Sequence, residues 1–304
     1  MNLYKSLIFI LYLGIFLGSG FRTPAQSRDS ITLYGTLDTV QVIRQRIQHA
    51  NEANAGARVT HISPAILQAN KTRSLAELLT DHTSIYIKSL GTGALSTASF
   101  RGTSASQTRV NWNGINITPP LSGTFDFSQI PVFFTDNINL YYGSSHVKNG
   151  TGAIGGSVNL FTDTDWNRGV NGRVLAEYGS YNTYTVGGQA NISGNKSASK
   201  TRLYYQHSDN DYTYLNKVLT NIPFREKRQD AAYSQFGIMQ EGYFRVSPYT
   251  RLTAVAWYQK NHRNLPQPLG VVNRSQEDQE ENNFRGYAGL DFSRGIHELH
   301  VKAA

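Results

Sequence analysis

The sequence predicts an incomplete transmembrane β-barrel, with about seven antiparallel strands present, preceded by a small α+β domain. Three observations lead there. The first is composition: 304 residues with 18 Tyr, 14 Phe, 27 Gly, no Cys and only 16% charged residues. Strands and turns use Tyr, Gly, Thr, Asn and Ser, whereas disorder and helical bundles need far more charge. The second is period-2 alternation after Asp163: Tyr184, Val186, Gly188, Ala190 and Ile192 against Thr183, Thr185, Gly187, Gln189 and Asn191. Phe284, Gly286, Ala288, Leu290 and Phe292 repeat the pattern, and Leu252, Ala254, Ala256 and Tyr258 do so less cleanly. A soluble sandwich alternates in the same way, so the third observation decides. Strands near 171–178, 183–192, 200–208, 234–246, 250–260, 282–294 and 297–304 are joined, after a first tight turn, by short, long, short, long and short connections. Long loops at 209–233 and 261–281 on one side, with tight turns on the other, are the layout of an outer-membrane barrel. Aromatics near strand ends (Tyr178, Tyr181, Tyr184, Tyr212, Tyr214, Tyr233, Tyr249, Trp257, Tyr258) suit interfacial girdles.

The elements follow in order. Lys5, an apolar run at 7–17 and small residues up to Ala25 make a secretory signal over 1–25, with Gln26 as the mature N-terminus. The run is too short to span a membrane, and a buried N-terminal helix is the alternative. No Cys follows the cleavage point, so no lipid anchor is expected. Residues 26–57 are polar and read as a flexible segment with one β-prone patch, Asp38-Thr39-Val40-Gln41-Val42. Such a patch on a tether can add to the edge of a partner's sheet through main-chain hydrogen bonds; otherwise it is an ordinary first strand. Residues 58–164 mix short segments. Ser63-Pro64 starts a helical turn, and Ser74-Leu75-Ala76-Glu77 has capping-box spacing. Strand-like runs lie at 85–88, 99–101, 109–112, 137–142 and 157–161, separated by Gly, Asn-Gly and Pro-Pro turns. Residues 165–304 carry the barrel strands.

Absent chemistry narrows the function. Without Cys there is no disulfide scaffold, cysteine zinc site or thiol nucleophile. The +8 formal charge includes Lys5 and Arg22 of the leader and contains no basic run, so no nucleic-acid partner is expected. No catalytic constellation is present, which points away from an enzyme, and no cofactor is implied. Asp163-x-Asp165-x-Asn167 imitates the start of a calcium loop but lacks its Gly and terminal Glu. Asp209 and Asp211, at the start of a long loop, are a second calcium candidate against plain solvation. His297 and His300 fall on opposite faces of a strand and share no metal.

The middle domain resembles the plug of TonB-dependent outer-membrane receptors. The matching pieces are Ser74-Leu75-Ala76-Glu77-Leu78-Leu79, Phe100-Arg101-Gly102-Thr103, Asn113-Gly114-Ile115-Asn116 and Asp126-Phe127-Ser128-Gln129-Ile130-Pro131. The most specific piece combines Gly150, Gly152, Gly155 and Gly156 with Ser157-Val158-Asn159-Leu160. Two departures stand out: Asn113 where the family usually has Asp, and Gly143-Ser144-Ser145-His146 where it usually has Gly-Pro. The stretch from Arg101 to Ser106 looks most like the cobalamin receptors, some of which use Ca²⁺, although siderophore receptors share much of it. The resemblance implies an importer of cobalamin or a ferric siderophore in the outer membrane of a Gram-negative bacterium, set in lipid. It makes Asp38, Thr39, Val40, Gln41 and Val42 the box engaged by a TonB-type energy-transducing protein of the inner membrane. A passive porin and a secreted β-sheet binding protein are the alternatives. The plug motif residues are Arg101, Gly102, Asn113, Gly114, Gly150, Gly152, Gly155 and Gly156. Their glycines are expected to allow tight turns and close strand packing, and Arg101 to join a plug–barrel polar network or to be solvated. A plug-bearing barrel needs about 22 strands, so a fragment is expected: an open sheet curved around one side of the plug.

Overall fold

The computed structural model describes residues 58–143, 153–218, 222–269 and 276–304. The signal, the segment with Asp38, Thr39, Val40, Gln41 and Val42, and Gly150 and Gly152 lie outside the described residues.

The small domain begins with β1 (Arg58–His61) and two short helices, α1 (Pro64–Ala69) and α2 (Leu75–His82). Both caps form as their residue types require. Ser63 Oγ accepts from the Ile66 amide at 3.3 Å. Ser74 and Glu77 close a reciprocal box, the Ser74 amide donating to Glu77 Oε2 at 2.8 Å. With its amides satisfied, α2 buries Leu75, Leu78 and Leu79 on one face; each contributes roughly 1.5–3 kcal/mol.

A hairpin of β2 (Tyr86–Ser89) and β3 (Ser96–Ser99) follows, then β4 (Thr108–Trp112), β5 (Ile115–Asn116), β6 (Asn137–Tyr142) and β7 (Gly156–Phe161). The strand expected at 99–101 therefore ends at Ser99; Arg101 (φ 49°) and Gly102 (φ 78°) turn the chain instead. The sheet order is β1-β6-β7-β4-β5, with β4 and β7 parallel and the other pairs antiparallel. One face carries Val110, Trp112, Ile138, Leu140, Val158 and Leu160 into the core. The other carries a row of one polar residue per strand: His61, Asn139, Asn159, Asn111 and Asn116 stand opposite one another in register.

The remaining strands form a second, seven-stranded antiparallel sheet, the wall. They are β8 (Gly169–Gly179), β9 (Thr183–Ser193), β10 (Ser197–Ser208), β13 (Tyr233–Ser247), β14 (Thr250–Asn264), β15 (Asp278–Arg294) and β16 (His297–Ala303). Their order is β8-β9-β10-β13-β14-β15-β16, an open meander whose edges are β8 and β16. Between β10 and β13 the expected plain loop holds a hairpin of its own, β11 (Thr213–Asn216) with β12 (Phe224–Lys227). No described helix is long and apolar enough to cross a membrane.

The outward face of the wall exposes Val186, Ile192, Leu203, Tyr205, Phe236, Ile238, Phe244, Leu252 and Phe284. So broad an apolar surface is more than a soluble monomer ordinarily exposes. The alternation read on β14 holds, but the inward face is only partly polar. Val255 and Trp257 point inward and are buried against the small domain. Trp257, expected in the girdle, is 1% exposed, and Tyr233 is buried too.

Candidate functional site

The candidate site is the seam where the small domain meets the wall. Its centre is apolar. Phe133 and Phe134 follow Pro131 in a short 3-10 turn and stack on Tyr204 of β10 and Trp257 of β14, with ring centroids 5.3–6.0 Å apart. Trp112, at the end of β4, meets Trp257 and Tyr287, both at 5.4 Å. The wall has a glycine where the plug presses hardest: a Cβ on Gly237 would lie 2.6 Å from Phe134 Cζ. Aromatic pairs of this geometry contribute about 0.5–1.5 kcal/mol beyond burial.

Beside this core lies a buried charge cluster. Asp136, in the turn between Phe134 and β6, accepts from Lys200 Nζ at 3.0 Å and from Arg202 Nη2. Arg202 is fully buried; its Nη1 donates to the Phe133 carbonyl at 3.0 Å. Its Nε lies 3.1 Å from the equally buried Glu241 Oε1, a charge contact rather than an aligned hydrogen bond. Lys71, at the end of α1, is buried next to the cluster and donates to the carbonyls of Val132 (3.4 Å) and Thr135 (2.5 Å). Burial pushes the Asp136 carboxyl up, but Arg202, Lys200 and Lys71 together hold it well below its ordinary value. Burial lowers the Lys71 ammonium to about 8, helped by Arg202, Arg173 and Lys200 and opposed by Asp136.

Toward the long loops the contacts are polar and reach the plug backbone. Arg263 Nη1 pairs with Asp126 Oδ2 at 2.7 Å, and Gln235 Nε2 donates to the Ser128 carbonyl at 2.9 Å. Gln259 donates to the Gln129 carbonyl, and Tyr204 Oη to the Thr72 carbonyl at 3.1 Å. The motif 126–131 is thus the part of the plug that the wall reads most closely.

The expected site residues divide. Gly155 and Gly156 are packing glycines: a Cβ on Gly155 would collide with the Thr103 side chain, and one on Gly156 would lie 2.6 Å from the Tyr141 carbonyl and 2.7 Å from the Phe100 ring. Asn113 and Gly114 (φ 49° and 83°) make the turn between β4 and β5. Asn113 Nδ2 donates to Thr162 Oγ1 at 3.0 Å, and the Thr162 amide returns the bond to Asn113 Oδ1 at 3.0 Å. Its carbonyl accepts from Lys302 Nζ on β16 at 2.6 Å.

Arg101 does not join the plug–wall network. It is exposed, in a left-handed conformation (φ 49°) and 5.9 Å from the centre of the Tyr142 ring within the plug, which is the solvated alternative. The network uses Asp136, Lys200, Arg202 and Glu241 instead, none of which was singled out. A sign was present: Lys200 and Arg202 stand two apart in a strand whose other face carries Leu203 and Tyr205. Charges there must point inward and find partners.

Asp209 and Asp211 do not converge. Asp209 bonds to His207 (3.0 Å) and Asn182 (3.1 Å), which hold its carboxyl below the ordinary value, and Asp211 pairs with Lys227 at 2.7 Å. Among the described residues no three His, Asp or Glu gather as a metal set.

A small domain seated by its own buried ion cluster on an open antiparallel wall with an apolar outer face defines a class, and the comparisons agree on it. Residues 51–157 match the family described as TonB-dependent Receptor Plug Domain, and this plug domain is followed by seven antiparallel strands of a partial barrel like those of the TonB-dependent receptors it resembles in fold. Among its relatives is the "Vitamin B12 transporter BtuB" of Photobacterium profundum, 32% identical over 135 residues, which are 44% of this chain and 22% of that protein. The transporter of the same name from Vibrio cholerae is 32% identical over 126 residues, 41% of this chain and 20% of that one. The matched stretch thus spans about a fifth of the length of these curated relatives. Two solved structures share the fold. The siderophore receptor PiuA from Acinetobacter baumannii has TM-score 0.57 and 19% identity, covering 79% of this chain and 34% of that one. A mutant of the ferric enterobactin receptor PfeA from Pseudomonas aeruginosa has TM-score 0.63 and 13% identity, covering 83% and 41%.

Proposed function

We propose that this chain provides the plug and seven wall strands of an active importer in the outer membrane of a Gram-negative bacterium. Its cargo is a scarce ligand of the cobalamin or ferric siderophore class, taken up from the side of the long loops. A TonB-type protein of the inner membrane supplies the work by pairing with Asp38, Thr39, Val40, Gln41 and Val42. One observation carries this reading. The plug is joined to the wall by a buried ion cluster and a continuous aromatic core, so passage along that wall requires the plug to move, and moving it takes energy. A passive porin has no use for such a domain. The relatives named as vitamin B12 transporters favour cobalamin within the proposed class.

The box serves coupling and not recognition. Deleting residues 38–42 should therefore abolish energised uptake of labelled cobalamin or ferric siderophore by whole cells, with ligand binding to the same cells unchanged. Undiminished uptake in the deletion strain would refute the assignment.

A further inference from the structure

On one side of the ion cluster the plug and wall stand apart. Between α1 and strands β8, β9 and β10 lies a cavity of about 490 Å³. Its lining is polar throughout: the amides of Gln68, Asn171, Gln189 and Asn191, and the cations Lys71, Arg173 and Lys200. Three carboxylates also border it, and each has its own partners. Asp136 is held by Lys200 and Arg202, Asp165 lies 3.6 Å from Arg168, and Asp163 Oδ1 accepts the Thr164 amide at 2.8 Å.

Two of the cations have no such partner. Lys71 reaches only the carbonyls of Val132 and Thr135, and Arg173 Nη1 donates to the neutral Gln68 Oε1. Neither makes an ion pair with a carboxylate among the described residues. Lys71 is buried and feels both the attraction of Asp136 and the repulsion of Arg173, which is exposed at the rim, so the two cations present positive charge to the void. Oxyanions satisfy such groups with charge-assisted hydrogen bonds.

We propose that this cavity binds a small oxyanion of the phosphate class, held between Lys71 of the plug and Arg173 of the wall, with Lys200 and the surrounding amides completing its shell. The bound anion bridges the two layers and so strengthens the seating of the plug. The site is separate from recognition of any imported ligand at the long loops.

The test uses the protein purified in detergent without phosphate. Inorganic phosphate, citrate and chloride are titrated at equal ionic strength, read by calorimetry and by thermal unfolding. Phosphate should bind saturably and raise the unfolding temperature, citrate more weakly, and chloride should do neither. Arg173→Gln, at the open side of the cavity, should weaken phosphate binding about tenfold, and Lys71→Met should do the same if it folds. Lys260→Gln, on the outward face, should leave binding unchanged. Absence of saturable phosphate binding would overturn the proposal, as would an equal response to chloride, tighter binding of citrate, or wild-type affinity in Arg173→Gln.

Discussion

Replacing Asp136 by Asn should loosen the plug from the wall by about 3–5 kcal/mol, the usual cost of removing one partner from a buried ion cluster. The substitution keeps the side-chain volume but leaves the fully buried Arg202 with Glu241 as its one carboxylate partner and Lys200 with the Asp163 carbonyl. Trp112 and Trp257 face each other across the seam, so their fluorescence during denaturant titration reads the loss directly. The pH dependence has a definite sign. Because Asp136 is held below its ordinary value, its contribution is fully present above about pH 4. It disappears only as the pH falls through the lowered folded-state value. The wild-type seam should therefore survive at pH 4, whereas Asp136→Asn is weakened at neutral pH and shows no further acid transition from this group. A denaturation midpoint within error of wild type would remove the cluster from the account.

Gly156→Val should prevent the plug from folding to its present packing. The first added carbon already lies 2.6 Å from the Tyr141 carbonyl, and the contact is with the backbone of the neighbouring strand, which cannot rotate away. Overpacking costs about 1–3 kcal/mol where side chains can yield; here a β6–β7 pairing must separate as well. Gly188→Ala, on the open outward face with nothing within 4 Å, should change stability by less than about 0.5 kcal/mol. Proteolysis of the plug in the two variants measures the contrast, and equal resistance would show that the glycine cluster is not a packing device.

These two positions also show what the sequence made legible. Gly156 stood out because its motif is local, and the capping box at Ser74 was readable for the same reason: its partner Glu77 lies three residues away. Asp136 did not stand out, because its partners lie 64 and 66 residues away on a different layer. Alternation identifies which wall residues share a face. It does not say where that face meets aromatic plug side chains, so the burial of Val255 and Trp257 was not foreseen and Trp257 was placed with the girdle. The β11–β12 hairpin escaped because its strands are only four residues each, too short for a period to show. Arg101 was left open between a plug–barrel network and solvation, because a positive φ at a non-glycine residue leaves no clear mark in the sequence.

The central claim is that import requires the plug to move against this wall. The chain contains no cysteine, so a single pair can be introduced at Ser128 and Gln235, where the Gln235 side chain reaches the Ser128 carbonyl at 2.9 Å. Ser128→Cys with Gln235→Cys, joined in whole cells by a short, reducible thiol crosslinker, pins plug to wall. Energised uptake should stop while the link is intact, with ligand binding unchanged, and return when the link is reduced. Uptake that continues at the wild-type rate through a fully crosslinked population would contradict the account.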